Sequence, residues 1–528
     1  MNLLVDYILA KEFLLQCFAT LITFSFIRLY LFFSVRKKRY QLFGQYGIPQ
    51  PKTSLLGGGN FHLYSANQEE HQKVDEQLYA RHGPVFGLFM GDDPEIVIVD
   101  LELLREIFFD QAKSFPDRTR NFLDITLTKS VLFAPFNRWR IMRKVMSPWF
   151  SGHQLRRGFK SIEFIEHSVA QMLDYIEHKF HLAKGLLTKE AHVTIELDIH
   201  DLFKATALHM ISVMAIELPN VQIREMEQNV ISLDKFLANA NKGLLLELTV
   251  RYSIFKSVLN FIVQHFDHSK QMSLIESGLN RKIDSQLAKL KELSQKSNIN
   301  QGKLGGSEEK LIDALIELHF RGKLTREEVL ANAEAILFAG YDTTSTTLTY
   351  IFWVLGKEAA VQERLRQDLV TYGVKSVYLG QVISETMRLY PTVFSFTTRV
   401  ASETVQLKRR ISSRNLIIPK GTKVVYKSWL IHRNPLFWPN PSHFDPERFA
   451  PNKEIHPCAF APFGLNEKRC LGYQLAMIEM KMIICDTLLR YKVETVSPEE
   501  LEIVSYAGFL TKPKEKVIVR LAKLPGIE

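Results

Sequence analysis

The sequence predicts a mainly α fold: a large helical domain with small β-sheets behind an N-terminal membrane anchor helix. Three observations predict it. A long apolar run opens the chain, a β-hairpin pattern follows the first turn-rich segment, and beyond residue 100 the apolar residues recur with helical spacing. At 528 residues the chain exceeds the usual size of a single core, yet no Pro/Gly/Ser-rich linker divides it internally. A hydrophobic share of 46%, including 36 Phe, suits one large apolar interior able to hold a bulky cofactor.

The apolar run extends from Phe13 to Phe33. It is long enough to cross a bilayer core of roughly 30 Å as a helix. Arg36, Lys37, Lys38 and Arg39 follow at once. Positive residues stay cytoplasmic, which turns the body of the protein to the cytosol. Arg28 is a charge inside the span, near the cytosolic end, where its long side chain can snorkel to the interface. A monotopic anchor is the alternative to a spanning one, and the absence of a small-residue cleavage site argues against a signal peptide. Residues 1–35 are thus expected to form the anchor, residues 36–60 a basic and Pro/Gly hinge, and residues 61–528 the catalytic domain.

Prolines Pro49 and Pro51, followed by Gly57 to Gly59, make that hinge. Pro84 to Met90 and Glu95 to Val99 flank a turn of Gly, Asp and Pro, a hairpin signature. The polar stretch from about His268 to Glu309 reads as an exposed connection or a mobile surface helix. Cys17, Cys458, Cys470 and Cys485 form no CxxC pair, which excludes a disulfide framework or a zinc site of the usual spacing. The net charge of +10 suits anionic lipid or an acidic protein partner. No nucleic-acid-binding motif is present, so nucleic acid is the least expected of these partners and none is predicted.

Three segments carry chemistry. Thr325-Arg-Glu-Glu328 is a capping-box pattern opening a helix to about Leu355. In its middle, Ala339-Gly340-Tyr341-Asp342-Thr343-Thr344 places a glycine, an acid and hydroxyls in an apolar stripe. Hydroxyls that bond to preceding carbonyls can open the ladder and make room for a ligand, while Asp342 and Thr343 supply a proton path; a plain core helix fits the cluster equally well. Glu385-Thr-Met-Arg388 sets an acid and a base one turn apart, a weak signal until Arg448 in Pro446-Glu-Arg448-Phe449 offers a second guanidinium. Last, Cys470 closes the run from Pro462 to Gly472 just before a helical pattern from Tyr473 to Leu489. A helix N-terminus beside a cysteine favours thiolate over thiol. A buried, inert free cysteine is the alternative.

Taken together and in this order, these motifs resemble the cytochrome P450 family, closest to the vertebrate drug-metabolising branch and its nematode relatives, from about Gly47 to the end of the chain. The resemblance implies the cytochrome P450 fold and a haem-thiolate monooxygenase that inserts one oxygen atom from O2 into a lipophilic small molecule with NADPH-derived electrons. It implies haem b with Cys470 as axial thiolate and metal ligand, and Asp342 and Thr343 as the catalytic proton path. Trp139, Arg143, Arg118, Arg399, Lys468 and Phe463 resemble cofactor-binding residues, and Glu385, Arg388 and Arg448 resemble the structural triad. Arg138, Arg140, Lys144, Lys468 and Arg469 could form a basic face for NADPH-cytochrome P450 reductase. Phe338 and Ala339, Val393 to Thr397, and Gly508 to Leu510 resemble substrate-facing segments. An endoplasmic reticulum membrane address, with lipid contact at the anchor and the catalytic domain in the cytosol, follows from the uncleaved anchor and the family.

Three positions depart from the family pattern. Asn466 stands in place of a glycine, a position where Asn tolerates positive φ at some strain. Lys468 stands in place of an arginine, keeping the charge but losing the fork. The connection between Leu369 and Tyr378 is short, which threatens the placement of the Glu385 helix. A haem-thiolate isomerase or dehydratase acting on a peroxide, and a degenerate non-catalytic family member, are the rival readings. Retention of Asp342 and Thr343 weighs against the first, and the three departures motivate the second.

Overall fold

The structure is a computed structural model and describes residues 2–67, 69–118, 126–151, 161–185, 193–216, 223, 273–296, 311–408, 415–506 and 508–526. Helix α1 (Asn2–Arg39) opens the chain. Its stretch from Leu15 onward is long and apolar enough to cross a membrane, with Phe18, Phe24 and Phe26 exposed. Arg28 lies over the Phe24 ring at 5.8 Å.

Arg36 departs from the role expected of a membrane-flanking charge. It is 1% exposed, and its guanidinium donates to Asp92 Oδ1 (2.7 Å) and to the Leu55 carbonyl (2.8 Å). Asp92 sits in the turn of a hairpin, so this buried pair fixes the end of α1 to the body. The segment read as a hinge continues the packing. Tyr40, Phe43 and Ile48 are buried, and a Cβ on Gly87 would fall 2.3 Å from the Phe43 ring, so only glycine lets that ring lie flat on the strand.

The expected hairpin consists of β1 (Val85–Met90) and β2 (Asp93–Ile98), but Met90 pairs with Asp93, so the turn is Gly91-Asp92 alone and Asp93 and Pro94, read as part of the turn, belong to the strand. Further strands are β3 (Thr194–Asp198), β4 (Thr398–Val400), β5 (Val405–Leu407), β6 (Leu416–Ile418), β7 (Lys423–Tyr426), β8 (Tyr491–Ser497), β9 (Ile503–Tyr506), β10 (Leu510–Pro513) and β11 (Ile518–Lys523). They form small sheets of order β1-β2-β7-β4, β3-β11-β8, β5-β6 and β10-β9.

Helices fill the rest of the core: α2 (Phe136–Met146), α3 (Ser161–Gly185), α4 (Ile199–Ile211), α5 (Ser273–Lys296), α6 (Leu311–Phe320), α7 (Arg326–Lys357), α8 (Ala359–Tyr372), α9 (Val377–Leu389) and α10 (Tyr473–Leu488). Part of the polar stretch read as a connection is thus a regular helix, α5, which buries Leu279, Ile283 and Leu290. Residues 268–272 and 297–309 of that stretch lie outside the described residues.

Helix α7 is the axis of the molecule. Thr325 and Glu328 complete the capping box at its start, Glu328 N to Thr325 Oγ1 at 3.2 Å and Thr325 N to Glu328 Oε2 at 2.8 Å. Its 32 residues, at 1.5 Å each, run about 48 Å. The Gly-Thr cluster does not break it: the helix is continuous through residues 339–344. Gly340 has another purpose. A Cβ there would lie 2.8 Å from Ile211 Cγ1, so glycine is the residue that lets α4 cross against α7. The crossing is sealed by Phe203 against Phe352, 4.9 Å between ring centroids.

Candidate active site

A cavity of about 300 Å³ lies between α7, α2, the residues after α9, the loop before α10 and the turn between β9 and β10. Most of its wall is apolar. Ala339, Asp342 and Thr343 reach it from α7, and Val131, Met146 and Phe150 from the region of α2. Val393, Phe396, Thr397, Phe509 and Leu510 close another side, because Thr511 N bonds to Thr392 O (2.8 Å) and Phe394 N to Phe509 O (3.0 Å), pairing the two segments. Of the substrate-facing segments expected from sequence, Phe394 turns away into the core and is fully buried. Ser395 and Gly508 also lie outside the lining.

Cys470 opens into the cavity from the loop before α10. The loop is closed by Cys470 N donating to Phe463 O (2.7 Å), and the Phe463 ring, itself part of the wall, packs on Tyr473 at 5.3 Å. Asn466, at the glycine-like position, adopts φ 54°, and its amide donates to the Phe108 carbonyl (2.6 Å). Asparagine therefore makes the left-handed turn and pins it with a bond that glycine would lack. Burial and the neighbouring donors and charges act on Cys470 in opposite directions. Burial pushes the thiol up, while the Gly472 N–H, Arg118, Arg143 and Arg469 pull it down by less. A cation bound at Sγ would supply the missing stabilisation.

One rim of the cavity is cationic. Arg118, Arg143, Arg399 and Lys468 all line it, and none forms a salt bridge with a carboxylate among the described residues. Arg399 on β4 is 3% exposed and, among the described residues, donates only to the Thr398 and Leu465 carbonyls (2.8 and 3.1 Å), so it is not a surface charge. Arg118 donates to the Lys468 carbonyl and stacks on Phe396 at 5.1 Å. Burial and mutual repulsion lower their pKa values: Arg399 to about 9, Arg118 to about 10 and Lys468 to about 7. Burial also lowers Arg143.

Local structure gathers these groups. Asp117 pairs with Val400 by a backbone bridge, and its carboxylate caps α2 at Phe136 N (2.7 Å), so one residue fixes Arg118 beside both β4 and α2. Trp139 and Arg143 stand one helical turn apart on α2. Trp139 stacks on Phe136 at 5.7 Å, carries the Lys468 ammonium over its ring at 4.8 Å, and has a buried Nε1–H without an acceptor among the described residues.

Unpaired buried cations and an orphaned donor together call for an anion. The donor set fits a ligand with carboxylates at one edge and a flat apolar body, lying between Cys470 and α7. Haem b meets that description.

Opposite the cysteine loop, Thr343 Oγ1 donates to Ala339 O (2.7 Å), the back-bond expected of a helical hydroxyl. Asp342 is 3% exposed and accepts from the Tyr506 phenol. That partner lies 164 residues along the chain, and no sequence signal marks it. Nor does any signal mark Glu479 of α10, a buried lining residue that burial raises to about 8.

Away from the cavity, the structure brings Glu385, Arg388 and Arg448 together. Arg388 donates to both Glu385 oxygens (2.7 and 2.9 Å), both side chains are fully buried, and Arg448 Nε lies 3.3 Å from Glu385 Oε1. Asp445 N also donates to Glu385 Oε1 (2.9 Å), and Arg388 also donates to the His432 and His443 carbonyls (2.8 and 3.4 Å). The short connection leaves this cluster intact: a 3-10 turn at Gly373–Lys375 and the Ser376 cap, Leu379 N to Ser376 Oγ at 2.9 Å, join α8 directly to α9.

The expected basic face is corrected at two positions. Lys468 is 3% exposed and faces the cavity, and Arg138 is held by Glu328 (Nε–Oε1 2.7 Å). Arg140, Lys144 and Arg469 are exposed.

Comparison with known proteins follows the same lines. The family model described as cytochrome P450 matches residues 49–519. Among curated relatives, the chain is 24% identical over 510 residues to Cytochrome P450 3A28 of Bos taurus, covering 91% of this chain and 92% of that one. It is 26% identical over 509 residues to Cytochrome P450 3A40 of Oryzias latipes, with 91% and 93% covered. To Cytochrome P450 3A29 of Sus scrofa it is 24% identical over 540 residues, with 96% of each covered.

Proposed function

The chain belongs to the cytochrome P450 family and is a haem monooxygenase acting on lipophilic substrates, and from that premise we propose how its residues divide the work. The single observation that carries the proposal is Cys470 opening into an apolar cavity that Asp342 and Thr343 also line, together with four cations that have no carboxylate partner among the described residues.

Haem b, when bound, supplies the chemistry of dioxygen: one oxygen atom goes into the substrate and the other leaves as water. Cys470 would hold the group through its sulfur, with its own backbone N–H fixed by the Phe463 carbonyl and its sulfur facing the Gly472 N–H. Arg118, Arg143, Arg399, Lys468 and the Trp139 Nε1–H would hold its carboxylates, which would offset the repulsion among the cations. Thr343 presents its hydroxyl to the cavity, and Asp342 would pass protons toward it from the buried side of α7. The apolar wall of Phe396, Phe509 and Leu510 excludes water and takes an apolar substrate. The Glu385, Arg388 and Arg448 cluster holds the core behind the cysteine loop.

Electrons come from NADPH through a flavoprotein reductase, docked by Arg140, Lys144 and Arg469. Residues 1–35 anchor the protein in the endoplasmic reticulum membrane, where the substrate partitions, with residues 61–528 in the cytosol and residues 36–60 joining the two. A peroxide-rearranging enzyme has no need of the Asp342 and Thr343 pair at the cavity, which favours the oxygen-inserting reading. The test is turnover of a lipophilic substrate panel under labelled dioxygen with reductase. Label in the product, dependent on NADPH, is expected; product formed from peroxide without NADPH, and without label, overturns the proposal.

A further inference from the structure

Asp342 faces the cavity from the middle of α7, and what holds its carboxylate comes from the far end of the chain. Tyr506, the last residue of β9, donates its phenol to Asp342 Oδ2. Tyr506 is not itself part of the cavity wall, so it stands behind the acid. Burial first, and then the Asp342 charge, push its phenol far above the usual range, so the hydroxyl remains a donor at every working pH.

The strand pair that carries Tyr506 is stitched to α7 a second time. Two turns further along the helix, the Tyr350 hydroxyl donates to Thr511 Oγ1 (3.2 Å), and Thr511 in turn donates to the Pro391 carbonyl (2.9 Å). Leu510, opposite Tyr506 in the pair, is in the cavity wall. The acid, its donor and a substrate-facing residue therefore belong to one hydrogen-bonded unit.

We infer that Tyr506 is the positioning residue for Asp342, holding the carboxylate from behind so that it serves the Thr343 side of the cavity. The inference rests on the reading of Asp342 as the proton-delivering acid. A carboxylate freed from one fixed donor samples other side-chain orientations, and proton delivery falls with the share of time spent in the wrong one. Dioxygen that has taken two electrons and two protons is then released as hydrogen peroxide instead of being used for product and water.

The experiment compares full-length holoprotein with Tyr506→Phe, Asp342→Asn and the double variant. Two readouts are taken: the infrared carboxylate band that Asp342→Asn removes, and the partition between peroxide and product per NADPH in the presence of reductase. The probe is a fluorogenic benzyl ether of hydroxycoumarin. Tyr506→Phe is expected to shift the Asp342 band and to lower product per NADPH by roughly tenfold with KM unchanged. In the Asp342→Asn background it is expected to add nothing to the partition. An Asp342 band that stays in place in Tyr506→Phe overturns the inference whether or not the probe is turned over, and so does an equal loss of product in both backgrounds. An unchanged partition in Asp342→Asn itself contradicts the acid role instead, and the band still decides whether Tyr506 holds the carboxylate.

Discussion

Glu385 and Arg388 hold each other through two hydrogen bonds of 2.7 and 2.9 Å, with both side chains fully sealed from solvent. A pair this buried is a poor source of net stability but costly to break, because removing one partner strands the other's charge. Glu385→Gln is expected to destabilise the protein by about 3–5 kcal/mol and to abolish accumulation of haem-loaded protein. Arg448→Lys, at the 11% exposed edge of the cluster, is expected to cost less. Thermal unfolding midpoints and haem content of the purified variants check both.

The cationic rim makes a prediction about cofactor retention. Lys468→Met removes one charged donor and is expected to weaken haem retention by roughly tenfold to a hundredfold, the worth of one charge-assisted hydrogen bond. Lys468→Arg restores the fork that lysine lacks and is expected to retain haem at least as well as wild type. Rates of haem transfer to an acceptor globin measure the order.

Much of this site was legible in residue types and local spacing. The capping box, the hairpin and the helix after Cys470 are short-range features, and they form where alternation and helical periodicity put them. The pairing of distant residues was not legible. Arg36 lies in a basic run that reads as a membrane flank, and only the folded hairpin turn brings Asp92 to it. Lys468 reads both as a cofactor-binding residue and as part of a basic docking face, and only Trp139 beneath it assigns it to the cavity. Gly340 reads as a weak point in a helix, whereas Ile211 from another helix requires it. In each case the deciding contact crosses more than fifty residues of sequence, and a single sequence carries no record of it.

Asn466 combines a left-handed φ of 54° with a side-chain bond to the Phe108 carbonyl. Asn466→Gly keeps the turn and loses the bond, an expected cost of about 1 kcal/mol. Asn466→Val loses the bond and forces a β-branched residue into the left-handed region, adding about 1–2 kcal/mol more. Unfolding midpoints should fall in the order wild type, Gly, Val; a Val variant as stable as the Gly variant would refute the assignment of strain to this turn.

His432 gives a pH dependence. Burial, and next the Arg388 charge, lower its imidazole to about 3, and neutral Nε2 accepts from Ala461 N at 3.1 Å. The unfolded chain protonates this histidine below about pH 6.5 while the folded one resists to about pH 3, so the unfolded state binds more protons across that window. Stability is therefore lost as pH falls from 6.5, by up to about 1.4 kcal/mol per pH unit, and levels off near pH 3. His432→Gln is expected to lower the plateau but flatten the slope by one proton, as read by denaturant unfolding between pH 7 and pH 4.

Cys470 is the centre of the account, and its most direct test is the ferrous carbon monoxide difference spectrum of the full-length protein beside Cys470→Ala. Thiolate-ligated haem gives a Soret band shifted far to the red in wild type and absent from the variant. Protein without haem, or the same band of a neutral axial ligand in both samples, would contradict it.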